Sequence, residues 1–95
     1  MRKYETMYII KPNYEDDKYQ EIIEKCNALI QSNGGEVLKV EPWGKRRLAY
    51  DIEKIREGYY VLVNFLGPQT LPAELERNFR ISDDIMRYLV VRHEE

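Results

Sequence analysis

The chain has 95 residues, enough for one hydrophobic core and too few for two. Its formal charge of −2 excludes binding to nucleic acid through overall charge, so such a contact must come from a local patch or a basic partner. A lone cysteine, Cys26, excludes an internal disulfide. No apolar run nears the roughly 20 residues of a membrane span, and the start lacks the apolar core of a secretory signal. A cytoplasmic, reducing setting with no membrane contact is expected.

Lys3 to Ile10 alternates like a strand, with Thr6, Tyr8 and Ile10 on one face and Glu5, Met7 and Ile9 on the other. Pro12 ends it, having no N–H for a ladder. Asn13 is placed to cap a helix whose first turn gathers Glu15, Asp16 and Asp17 at the positive end of the dipole. Tyr19, Ile22, Ile23, Cys26, Leu29 and Ile30 form the buried stripe of that helix, and Gly34-Gly35 closes it.

A second strand runs from about Glu36 to Ile52, with Leu38, Val40, Leu48, Tyr50 and Ile52 sharing one parity. Pro42 and Gly44 predict a bulge or sharp twist in its middle. Glu53 to Gly58 reads as a polar hairpin connection. Tyr59 to Leu66 is dense in β-branched and aromatic residues, the strongest strand signal in the chain. Gly67-Pro68 breaks it. Thr70 then caps a short helix with Pro72 in its first turn and Leu71, Leu75 and Phe79 as its apolar stripe. Ser82-Asp83-Asp84 turns into a last strand, Ile85 to Arg92.

The order βαββαβ predicts an α+β domain spanning residues 1–95. Right-handed crossovers place both helices on one face of a four-stranded antiparallel sheet, with the first and third strands central. This is the ferredoxin-like split-βαβ arrangement. Outward parity on the uncovered face falls to Met7, Ile9, Tyr60, Leu62, Leu89 and Val91, with Trp43, Arg47 and Arg87 nearby. A face meeting only water normally reads polar, so this apolar centre marks a contact surface. Covering loops or a dimer mate are the plainer alternative.

Trp43-Gly44-Lys45-Arg46-Arg47-Leu48-Ala49-Tyr50-Asp51-Ile52 sets three cations beside an aromatic residue and runs into period-two alternation. The cations therefore ride on a strand. Fixed cations beside an exposed aromatic suit phosphate and stacked bases. Protection of an edge strand by charge is the structural alternative, and packing over the sheet is the alternative for Trp43.

Catalysis finds no support, and no cofactor, metal or small-molecule substrate is expected. His93 stands near the C-terminus without a nucleophile that sequence places beside it, and metal-ligand spacings are missing. Asp16-Asp17 and Asp83-Asp84 sit at element entries, where capping explains them. Gly34-Gly35 lacks the pattern of a phosphate loop. A small phosphatase on this fold needs an arginine in the loop after the first strand, where this chain has Lys11-Pro12-Asn13-Tyr14.

The RRM family of single-strand RNA binders shares the topology and is the alternative reading as a free RNA-binding module. Its third-strand motif meets Glu57-Gly58-Tyr59-Tyr60-Val61 here, which keeps only the glycine and the first aromatic.

A fuller match covers the whole chain. Met1-Arg2-Lys3-Tyr4-Glu5, Lys11-Pro12-Asn13, the Gly44 to Ile52 stretch, Gly58-Tyr59-Tyr60 and Arg80-Ile81 to Val90-Val91 resemble the bacterial small-subunit ribosomal protein six family in order and spacing. The resemblance implies a non-catalytic structural protein of the small ribosomal subunit. It also implies binding to the central domain of small-subunit ribosomal RNA as a heterodimer with the basic small-subunit protein eighteen. On that footing Arg2, Lys3, Lys45, Arg46, Arg47, Arg80, Arg87 and Arg92 are the candidates for RNA or partner contact, with Trp43 beside them. Glu53 departs from the family, many of whose members carry a cation there, which argues against an RNA contact at the hairpin tip.

Overall fold

The six elements follow the predicted order: β1 (Arg2–Ile10), α1 (Asp16–Ser32), β2 (Glu36–Ile52), β3 (Ile55–Gly67), α2 (Leu71–Ile81) and β4 (Ile85–Arg92). The structure is a computed structural model that describes residues 1–52 and 55–93, with side chains described outside 48–56. The faces taken by Leu48, Tyr50 and Ile52, and the setting of Glu53, lie outside the described residues. Strand order is β2-β3-β1-β4 with every neighbour antiparallel, so β1 and β3 are central as expected. The fold is ferredoxin-like.

Period-two alternation builds the core. Tyr4, Thr6, Tyr8 and Ile10 of β1 and Val61, Val63 and Phe65 of β3 are buried beneath the helices. Tyr19, Ile23, Cys26 and Ile30 of α1 and Leu71, Leu75 and Phe79 of α2 cover them. Thr6 is the polar member, and its hydroxyl donates to the Leu89 carbonyl at 2.9 Å, tying β1 to the edge strand β4. Burial pushes the Cys26 thiol up to about 12. It packs as a small apolar side chain and is no nucleophile.

Helix ends are set by different devices. After α1, Gly34 takes φ +84°, its N–H meeting Gln31 O at 3.2 Å while Gly35 N–H meets Ile30 O at 2.9 Å. These two bonds make a Schellman closure, in which a glycine adopts the left-handed conformation at least cost. The predicted Asn13 cap is corrected: Glu15 holds the cap position without a side-chain bond. Tyrosines fix this loop instead. Tyr14 N–H donates to the Tyr19 hydroxyl (3.3 Å), which donates to the Lys11 carbonyl (3.0 Å), while the Tyr14 hydroxyl donates to Asp84 (2.6 Å). Asp84 therefore pins the β1–α1 loop to the start of β4. Thr70 occupies the cap position of α2 as expected, though its hydroxyl makes no cap bond.

Two further expectations change. Register shifts by one residue between Val37 and Lys39, so Val37 and Val40 pack against the core while Leu38 stands 46% exposed. Leu38 and Val40 therefore do not share a face, because one extra residue inverts the parity beyond it. The second shift, between Pro42 and Gly44, is the predicted bulge; Gly44 has φ +79° and Trp43 is the extra residue. The connection expected over 53–58 is mostly ladder, since β3 begins at Ile55 and pairs with Ile52.

The two faces of the sheet predict opposite responses to truncation. Phe65→Ala, at a fully buried position, should cost about 3–5 kcal/mol in urea melts. Leu89→Ala, at a position 61% exposed, should change stability by about 0.5 kcal/mol or less. Similar losses at both positions would contradict the assignment of faces.

Candidate nucleic-acid and partner interface

Residues directly opposed in an antiparallel ladder share a face, so the register lays out the uncovered side of the sheet in rows. Arg87, Ile9, Tyr60 and Gly44 make one row; Leu89, Met7, Leu62 and Glu41 the next; Val91, Glu5, Asn64 and Lys39 a third. Met7, Ile9, Tyr60, Leu62, Leu89 and Val91 thus lie together, as the alternation predicts. Leu89 and Val91 are exposed at the β4 side, and Trp43 is 43% exposed at the β2 side. Gly58 permits the closeness of the first row, because a Cβ there would overlap the Ile9 side chain.

The β2 end of the face is a layered stack. Trp43 lies nearly parallel to Tyr60, with centroids 6.5 Å apart and planes 11° from each other. The Arg46 guanidinium sits over the indole at 5.6 Å, a cation on the electron-rich ring face. Lys39 Nζ lies 2.6 Å from Glu41. Hydrogen bonds from Lys39 and then from the Trp43 indole hold the Glu41 carboxyl below the usual carboxylate range. Trp43 is thus held by its contacts with Tyr60 and the Arg46 guanidinium.

The three cations of the basic run separate. Arg46 pairs with Gly58 and shares the uncovered face, whereas Lys45 pairs with Tyr59 and Arg47 with Glu57. Tyr59 belongs to the helix side, stacked on Tyr19 at 4.0 Å. The expectation that Arg47 lies beside the open face is corrected: Arg46 takes that place, because the bulge at Trp43 inverts the parity.

The other candidates do not join this cluster. Arg2 and Lys3 pair with Gly67 and Leu66 at the far end of the sheet, and Arg92 with Tyr4. Arg2 reaches the Gln69 side-chain carbonyl. Arg80 is exposed on α2, in the helix layer. His93 lies 2.9 Å from Glu5. Arg87 alone among the distant cations shares a row with Tyr60 and Gly44. Lys39 and Glu41 are members that sequence reasoning missed; their only signal was position two residues apart on a strand.

A profile described as Ribosomal protein S6 matches residues 3–92. The chain belongs to the ribosomal protein S6 family. Small ribosomal subunit protein bS6 of Carboxydothermus hydrogenoformans is 47% identical over all of this chain and 99% of its own length. That of Moorella thermoacetica is 48% identical, over all of this chain and 97% of its own. The crystal structure of ribosomal protein S6 from Thermotoga maritima superposes with a TM-score of 0.91 at 33% identity, covering 97% of this chain and 87% of that one. The P2 domain of the chemotaxis kinase CheA, solved in complex with CheY, shares the fold alone, with a TM-score of 0.63 at 14% identity. This S6-family chain is a protein of the small ribosomal subunit, and its relatives are ribosomal proteins.

The lowered Glu41 carboxyl supplies an optical test, since its titration is coupled to Trp43, the sole tryptophan. Glu41 is shifted downward when folded, so its stabilising bonds persist above the ordinary carboxylate value and are lost as pH falls through the lowered one. Acid titration should change Trp43 emission with a midpoint below 4.5. Glu41→Gln should remove the transition. A midpoint at or above 4.5, or one unaffected by the substitution, would contradict this geometry.

Proposed function

We propose that this chain is a non-catalytic structural constituent of the small ribosomal subunit that binds the central domain of small-subunit ribosomal RNA as a heterodimer with the basic small-subunit protein eighteen. The observation that carries the reading is the uncovered sheet face, where Met7, Ile9, Leu62, Leu89 and Val91 form an aliphatic centre beside the Arg46–Trp43–Tyr60 stack. Aliphatic side chains gain most from a protein surface, while aromatic residues and arginine are enriched in interface cores. A face built to hold bases would offer several free rings, and here Tyr60 already lies against Trp43.

Charge supports the need for a partner. With a formal charge of −2, the free chain neutralises few phosphates by itself. A basic protein seated on the apolar face supplies that charge and extends the RNA-binding surface across both proteins. Arg2, Lys3, Arg80, Arg87 and Arg92 remain proposed contacts, spread over three parts of the fold.

Gel shifts with a central-domain RNA fragment test the reading. Binding by the chain alone should be weak at physiological salt, and protein eighteen should tighten it cooperatively. Equal affinity with and without the partner would count against the proposal and favour a free RNA-binding module.

A further inference from the structure

We infer that Lys45 and Arg47 form a phosphate-binding pair on the reverse face of β2, separate from the face on which Arg46 lies, so that this one strand serves RNA on one side and the protein partner on the other. The inference rests on the two-partner reading above and divides its cations between the partners.

Three observations carry it. The first is parity. Arg46 opposes Gly58 on the open face and covers Trp43, whereas Lys45 and Arg47 oppose Tyr59 and Glu57 on the other side. A partner seated on the aliphatic face therefore meets Arg46 and leaves the reverse side free. The second is accessibility. β3 pairs with β1 only from Tyr59 onward, so the Arg47–Glu57 pair lies on a two-stranded arm beyond the four-stranded sheet. Lys45 and Arg47 are both exposed, and neither makes an ion pair among the described residues.

The third is spacing. Two residues along a strand span about 6.6–6.8 Å, comparable to the step between successive phosphates of a nucleic-acid strand. The pair also joins complementary donors. Lysine offers a compact charge, and arginine a planar fork that grips two phosphate oxygens at once.

Neighbouring carboxylates set the condition for binding. Glu57 faces Arg47 across the ladder. Burial first and the charge of Asp16 second push up the hydroxyl of Tyr59, the residue that opposes Lys45 across the ladder. These acids lower the local positive potential. The pair therefore engages phosphate once the basic partner has raised the potential around it, in line with cooperative assembly.

The test compares Lys45→Gln/Arg47→Gln with Arg46→Gln. Each is measured for heterodimer formation with protein eighteen in the absence of RNA. The preformed heterodimer is then titrated onto the central-domain RNA fragment at several salt concentrations. The double variant should form the heterodimer within about twofold of wild type, and its log-affinity against log-salt slope should be shallower by about 1.4–1.8. Arg46→Gln should weaken the heterodimer while leaving the slope unchanged. Single variants, each expected to remove about 0.7–0.9 of slope, serve if the double variant melts below the assay temperature. The swap Lys45→Arg/Arg47→Lys should keep the wild-type slope.

An unchanged slope in the double variant, with wild-type assembly intact, overturns the inference and leaves the proposed function standing. So does a heterodimer defect in the double variant equal to that of Arg46→Gln. A wild-type chain that forms no heterodimer overturns both.

Discussion

Helices cover only one face of this sheet, and most of what the chain offers a partner follows from that constraint. Both crossovers pass over the same side, so alternate residues along the strands face away from the helices. The covered face supplies the stabilising core: Tyr8, Ile10, Val61, Val63 and Phe65 are completely buried beneath α1 and α2. Apart from the buried Ile9, the uncovered face contributes less to folding, so its composition is open to selection for contact. There Leu89 is 61% and Val91 39% exposed, a cost of about 25 cal/mol per Å² that association can recover.

The near-neutral charge conceals a segregation. The helices with their flanking turns, residues 15–33 and 71–84, hold nine acids against four cations. The rest of the chain holds eleven cations against eight acids. Phosphate is disfavoured along the helix layer and tolerated along the sheet and its arm. The charge pattern leaves phosphate to the sheet's margin and the arm beyond the helices, and the apolar face to a protein. Both effects need the basic partner, since neither gives the chain a net positive field.

Much of the fold is legible because its signals are local and repeated. The stripe of α1 from Tyr19 to Ile30, the Gly34-Gly35 closure and the β-rich run of β3 each follow from residue spacing. Proline and glycine around Trp43 also announce the second bulge. The first bulge, at Leu38, carries no such residue, so parity counting there goes wrong by one. The assignment of Arg47 to the open face fails because the extra residue at Trp43 inverts the parity of every residue beyond it. The Asn13 cap fails for another reason. A tyrosine network reaching Asp84, 70 residues away from Tyr14, decides where α1 begins, and no local pattern encodes that contact.

The central claim is that the uncovered face is buried by assembly. Hydroxyl-radical footprinting of the free chain and of intact small subunits measures this at Met7, Trp43 and Tyr60, which react readily and lie across that face. The account predicts strong protection of all three in the subunit, with Tyr14 in the helix-side loop changing far less. Equal reactivity of Met7, Trp43 and Tyr60 in the free and assembled protein would contradict it.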